Sequence, residues 1–167
     1  MLSARGLVSK YSEADVIVSL AISPFEADLL FLRRMFDDAN WKLFTAHTCK
    51  EGMAQLDHEQ IPIVICEAQL ADGSWKDLLS RLAPILEPPR VIVASNHADE
   101  HLWSEVLNLG GFDLLTTPFR QVEVGYAIGS AWVDWKYGRA GTASMPGPLP
   151  ASEREAHYGI HSGDRRS

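Results

Sequence analysis

Short apolar runs alternate with amphipathic segments along most of this chain. The clearest run, Ile61–Cys66, is rich in β-branched residues, ends at the single carboxylate of Glu67 and is followed by a polar loop that reaches Gly73. A continuous apolar run of this length is typical of a strand buried on both faces of a parallel sheet. Because ligands of open α/β sheets bind beyond the carboxyl ends of the strands, we expect Glu67 to lie at the functional edge.

The same pattern predicts five strands that alternate with five helices. The predicted strands are Asp15–Leu20, Trp41–Ala46, Ile61–Cys66, Arg90–Ala94 and Asp113–Thr116. The predicted helices run from about Pro24 to Asp38, Thr48 to His58, Trp75 to Leu86, Asp99 to Leu109 and Gln121 to Tyr137. Ser23 and Thr48 are the expected N-caps of the first two helices. This alternation predicts an α/β fold, a doubly wound parallel sheet with helices on both faces.

The domain boundaries follow from a change of composition. Residues 1–14 are mixed and polar and are expected to form an N-terminal arm, and residues 15–137 carry the alternating pattern of one domain. Gly, Pro, Ser and charged residues dominate residues 138–167. Because so little apolar surface cannot offset the entropy of ordering, we expect a flexible tail there.

Composition narrows the classes of function. The net charge is −7 and no Lys/Arg cluster follows a predicted helix, so no nucleic-acid partner is expected. No apolar run is long enough for a membrane span, and the N-terminus lacks the apolar core of a signal peptide. With only Cys49 and Cys66 as cysteines, both expected to be reduced, the predicted location is the cytoplasm.

The sequence contains no motif typical of an enzyme. No Ser/His/Asp order, Gly-rich phosphate loop or Cys-x-x-Cys pair is present. His97 and His101 are four residues apart, but a zinc site needs further ligands, and two solvent-facing histidines are the simpler interpretation. We therefore predict neither catalytic residues nor a bound metal.

Four local motifs in order resemble the response-regulator receiver family, the phosphoacceptor domains of two-component signalling. Residues 67–73 (EAQLADG) resemble the end of the family's third strand and the loop after it, and residues 91–95 (VIVAS) its fourth strand. Residues 107–113 (LNLGGFD) and 115–119 (LTTPF) resemble its Leu-Gly-Ala turn and its Lys-Pro-Phe close. The resemblance covers about residues 15–136 and implies a flavodoxin-like (βα)5 fold with strand order 2-1-3-4-5.

The resemblance also assigns the family's functional positions to residues of this chain, and several are substituted. The acidic pair that holds Mg²⁺ falls on Ala21 and Ile22, and the phosphoacceptor aspartate falls on Glu67. The switch hydroxyl is kept as Ser95. The remaining positions carry different residues from the family's: Thr117 stands for the lysine, with Pro118 behind it, and Leu114 stands for the aromatic switch residue.

These substitutions predict a degenerate receiver, or pseudo-receiver. Phosphoryl transfer depends on neutralising charge at the transferred group, and neither Ala21 nor Ile22 can hold Mg²⁺. We therefore expect no cofactor, and a stand-alone signalling domain that acts through protein contacts. Three alternatives stay open: a working receiver that accepts a phosphoryl group on Glu67, a Glu67 side chain that imitates the phosphorylated state, and a small-ligand module that uses the cleft.

Aromatic residues in the last two predicted helices point to a contact surface. Trp103 and Leu107 fall off the predicted core stripe of one helix, and Trp132 lies on the next. Aromatic side chains are enriched at interfaces, and the receiver family commonly dimerises or meets partners on the face formed by helix four, strand five and helix five. The expected interface comprises Trp103, Leu107, Leu114 and Trp132, facing a sensor kinase, a regulator or a second copy.

Overall fold

A five-stranded parallel sheet forms the centre of the molecule. The computed structural model describes residues 16–138. The strands are β1 (Val18–Ile22), β2 (Lys42–Ala46), β3 (Ile63–Glu67), β4 (Arg90–Ser95) and β5 (Asp113–Thr116), in the order β2-β1-β3-β4-β5. Every neighbouring pair is parallel. The predicted fold class and strand order are confirmed.

Helices cover both faces of this sheet. They are α1 (Glu26–Asp38), α2 (Cys49–His58), α3 (Trp75–Leu82), α4 (Glu100–Asn108) and α5 (Gln121–Tyr137). Apolar residues of α1 and α5 pack on one face of the sheet, and those of α2, α3 and α4 pack on the other. All five residues of β3 are buried, as expected of the central strand of a doubly wound sheet.

Several element ends differ from the predicted ones. The first strand runs to Ile22, so that Ala21 and Ile22 are strand residues. The first helix starts at Glu26, and Ser23 is not its N-cap, because the Ser23 hydroxyl accepts the Phe25 N–H in the turn before the helix. The third helix ends at Leu82 and not at Leu86, since Pro84, two residues further on, has no N–H with which to continue the helical hydrogen bonds.

A small hairpin after β3 was not predicted. Gln69–Leu70 pairs antiparallel with Gly73–Ser74, and Gly73 has a φ of 153°, which favours glycine. Asp72 at its turn accepts the backbone N–H groups of Cys49 and Lys50, at 2.8 and 2.9 Å. These bonds hold the pKa of Asp72 below its usual value and attach the hairpin to the first turn of α2.

The predicted arm, residues 1–14, lies outside the described residues, as does the predicted tail apart from Gly138. No helix within residues 16–138 combines the length and the apolar character that a membrane crossing requires.

Candidate functional site

A cleft opens beyond the carboxyl ends of β3 and β4. Its volume is about 760 Å³, and its lining comes from α1, the loop after β3, α3, the loop after β4, α4 and the residues after β5. Glu67, Ser95, Thr117 and Pro118 all line it, so the structure brings together four residues that the sequence assigned to one site. This is the edge at which open α/β sheets bind their ligands.

Glu67 forms the floor of the cleft. It is the last residue of β3, lies opposite Ala94 of β4 and is only 7% exposed. Burial raises the pKa of Glu67 to about 7, although a hydrogen bond from the Ala68 N–H lowers it and the charge of Asp28 raises it further. Burial dominates because it removes water from the charged form while no cationic side chain compensates.

Asp28 is a site residue that the sequence analysis missed. It lies in the first turn of α1, lines the cleft beside Glu67, and burial raises its pKa as well. The sequence contained one usable signal. Asp28 precedes Leu32 of the core stripe by four residues, the spacing that places two side chains on the same face of a helix.

Ala21 and Ile22 lie in β1 next to β3 and are fully buried. Ala21 joins the core on the α1 side of the sheet, and Ile22 joins the core on the opposite side. The side chain of Ile22 packs close to Gly52 of α2. Both side chains are hydrocarbon, and both line a small cavity together with Glu67.

The acidic side chains that line the cleft are the available ligands for Mg²⁺. Magnesium demands near-octahedral oxygen ligands, and the acids lining the cleft come from α1, β3 and α4 without any from β1. Within residues 16–138, no group of three His, Cys, Asp or Glu side chains is close enough to hold a metal ion.

Ser95 and Thr117 complete the polar part of the cleft. The Ser95 hydroxyl accepts the His97 N–H at 3.0 Å, so it caps the turn after β4. The Thr117 N–H donates to the Ser95 carbonyl at 3.0 Å, and the peptide bond from Thr117 to Pro118 is cis. Thr117 therefore occupies the predicted position with a neutral side chain.

Lys76 is the one lysine of the cleft lining. It comes from the first turn of α3, and its ammonium group pairs with Glu105 of α4 across the cleft. A lysine held in this way neutralises Glu105. The charges of Asp28 and Glu67 are left without a basic partner of their own in the cleft lining.

The predicted interface residues lie closer to the core than expected. Leu114 is buried in β5 and packs with the core, so its assignment to a surface is wrong; a strand covered by helices on both faces has no exposed side. Trp103 is half-buried against the same core, and Leu107 is half-buried on α4. Trp132 packs on the other core and stacks on Trp135, with ring centroids 5.8 Å apart.

An exposed apolar stripe on α5 was not predicted. The core face of this helix consists of Val124, Ala127, Ile128 and Ala131. On the opposite face, Val122, Val133 and Tyr137 are 58%, 38% and 61% exposed, and Gly129 lies between them with open space beside it. A helix that is apolar on both faces is typical of one that is covered on both. We call these four residues the α5 outer stripe.

Comparison with known proteins identifies solved structures that have a similar fold. No protein-family model matches the sequence, and no curated protein matches it. Among solved structures, the signal receiver domain of a putative LuxO repressor protein from Vibrio parahaemolyticus superposes with a TM-score of 0.69 at 16% identity, over 77% of this chain and 99% of that one.

Two further solved structures are similar. The signal receiver domain of an HD domain-containing protein from Pseudomonas fluorescens Pf-5 gives a TM-score of 0.68 at 20% identity, over 76% of this chain and 94% of that one. The beryllofluoride-activated NtrC4 receiver domain dimer gives 0.66 at 17% identity, over 71% of this chain and 98% of that one. The described chain therefore has the fold of the response-regulator receiver domains.

Proposed function

We propose that this chain is a degenerate receiver domain, a signalling module that acts by binding proteins and is not efficiently phosphorylated. The observation that carries the proposal is the pair Ala21 and Ile22, buried hydrocarbon on β1 that lines a small cavity together with Glu67. A receiver without acids on β1 cannot hold the metal ion that neutralises a transferred phosphoryl group.

The other cleft residues support the same conclusion. Thr117 supplies no cation, and Lys76 is paired with Glu105. Burial raises the pKa of Glu67 to about 7, which favours the protonated form, and a protonated carboxyl is a poor nucleophile. Glu67 also carries one methylene more than the family's aspartate, and a misplacement of about 1 Å can cost on the order of 100-fold in rate.

Signalling in this proposal consists of recognition. A sensor kinase, a regulator or a second copy of the chain binds one conformer better than another and so shifts the population. The α5 outer stripe is the surface that we assign to this contact, in place of the buried Leu114. The proposal implies a cytoplasmic domain without enzymatic activity of its own.

Incubation of the full chain with acetyl phosphate and Mg²⁺, followed by intact mass spectrometry, tests the absence of phosphorylation. We expect no added phosphoryl group. The Glu67→Asp variant restores the family's acceptor and is also expected to stay unmodified, because Ala21, Ile22 and Thr117 still provide neither metal ligand nor cation. A gain of one phosphoryl mass that disappears in Glu67→Gln would establish the working receiver instead.

A further inference from the structure

The cleft has apolar side chains around its opening and a buried acidic side chain at its bottom. Phe25, Leu102 and Pro118 supply apolar surface around the opening, Trp75 lines it from the core and is only 2% exposed, and Glu67 lies at the bottom. Phe25 is 54% exposed although it is a large aromatic residue, and it stands at the start of α1 beside Asp28. An exposed aromatic side chain at the mouth of a cavity is a ready contact for an apolar or cationic ligand.

The charged groups around Glu67 are unbalanced. Asp28 faces it from α1; farther along the lining are His97 after β4, Lys76 from α3 and Glu105 from α4. Lys76 and Glu105 neutralise each other. Among the described residues, the charged side chain that acts on the pKa of Glu67 is that of Asp28, and it is of the same sign. A buried carboxyl without a partner takes up a proton, whereas a cation beside it stabilises the ionised form, and a cavity of about 760 Å³ has room for such a partner.

We propose that the cleft binds an organic cation, an ammonium or guanidinium group on an apolar body, with the cationic group between Glu67 and Asp28 and the body against Phe25 and Leu102. Such a ligand supplies the positive charge that the substituted receiver positions no longer provide. Its binding would be the trigger that changes the protein's affinity for its partner. This inference rests on the proposed function, because a phosphorylated cleft would need a metal ion where we place the ligand.

The pH dependence of ligand binding follows from the ionisation of Glu67 at the bottom of the cleft. A cation binds the ionised carboxylate, so the ligand must displace the proton that Glu67 carries below pH 7. Linkage for one proton then weakens the apparent affinity about tenfold between pH 8 and pH 6. A neutral ligand held by apolar contacts alone would not show this slope.

Titrations of the full, ¹⁵N-labelled chain by two-dimensional NMR test the proposal with three probes of similar shape: benzylammonium, benzyl alcohol and phenylacetate. We expect benzylammonium to shift the amides of Ala68 and Gln69 and to bind at least about tenfold more tightly than benzyl alcohol, since a charge-assisted contact to a buried carboxylate is worth a factor of this size. Phenylacetate should not bind. A capped lysine tripeptide distinguishes the sources of the cation: tighter binding than benzylammonium assigns it to a protein partner, and weaker binding to a small molecule.

Variants of the two acids complete the test. Glu67→Gln should reduce benzylammonium affinity about tenfold and abolish its pH dependence. Asp28→Asn, at a more exposed position, should weaken binding while the fold is kept, and Glu59→Gln at the opposite edge of the sheet should change nothing. Equal binding of benzyl alcohol, or unchanged binding by Glu67→Gln, would overturn this inference alone, whereas phosphorylation of Glu67 would overturn the proposed function.

Discussion

Glu67 gives the domain a distinctive dependence of stability on pH. Its folded pKa of about 7 lies above the ordinary value of 4.5, so the folded state binds more protons than the unfolded state between those values. The free energy of unfolding therefore falls as pH rises through this window. We compare the free energies of unfolding of Glu67→Gln and the wild type by urea denaturation. Between pH 5 and pH 8 their difference should change by about 2 to 3 kcal/mol in favour of the variant, because the wild type loses stability over this range and the variant lacks the titrating group.

The exposed carboxyl of Glu59 provides the matched control for replacing an acid by its amide. A Glu67→Gln variant whose stability relative to the wild type is the same at pH 5 and pH 8 would show that Glu67 is ionised normally in the folded protein. In that case the Glu67 carboxyl would be ionised at neutral pH, although the absence of acids on β1 would still oppose phosphorylation.

Individual site residues differ in how far the sequence could predict them. The carboxyl ends of parallel strands lie at one edge of a sheet. The sequence therefore predicted a common location for three residues at or just after strand ends, Glu67, Ser95 and Thr117. Asp28 was missed because it sits one turn into a helix, where an acid is also explained by the helix dipole. Leu114 was misplaced because a resemblance assigns a position without showing which face of the strand is covered.

The contact between α2 and β1 can be tested at Gly52. A Cβ added to Gly52 would lie 2.4 Å from Cδ1 of Ile22, which is fully buried. Overpacking costs about 1 to 3 kcal/mol, more than the roughly 0.5 to 1 kcal/mol that alanine gains over glycine inside a helix. We expect Gly52→Ala to lower the free energy of unfolding by about 1 to 2 kcal/mol in urea denaturation.

Gly129 on α5 is the matched control for Gly52. A Cβ there meets nothing within 4 Å in the same molecule, so at protein concentrations that keep the chain monomeric Gly129→Ala should gain about 0.5 to 1 kcal/mol from helix propensity alone. If Gly52→Ala were as stable as Gly129→Ala, the Ile22 side chain would have room to move away from α2.

Elements were predicted better than their ends. β5 and α5 were predicted with their observed bounds, because clear signals flank them: the glycine pair before β5 and the Pro118 region before α5. The first helix and the short hairpin were less predictable. A serine before a proline has the same sequence signature whether it caps the helix or, as here, the turn before it.

At the scale of the whole molecule, the α5 outer stripe decides whether the domain has a partner-binding face. Core packing already uses the opposite side of α5, and an exposed stripe of Val122, Val133 and Tyr137 gains nothing from the domain itself. Gly129 in its middle lets another backbone approach closely. The simplest occupant is a second copy of the chain, since an isologous pair covers the same stripe on both molecules.

This arrangement predicts concentration-dependent dimerisation of the full chain, measured by light scattering after size exclusion. The double variant Val122→Glu/Val133→Glu should stay monomeric, because charges in an apolar contact would weaken association by at least about a hundredfold. Its stability should stay within about 0.5 kcal/mol of the wild type, since both positions are exposed. Leu86→Glu removes a 93% exposed leucine elsewhere and should still dimerise. A wild type that remains monomeric, or a Leu86→Glu variant that alone dissociates, would contradict self-association through α5.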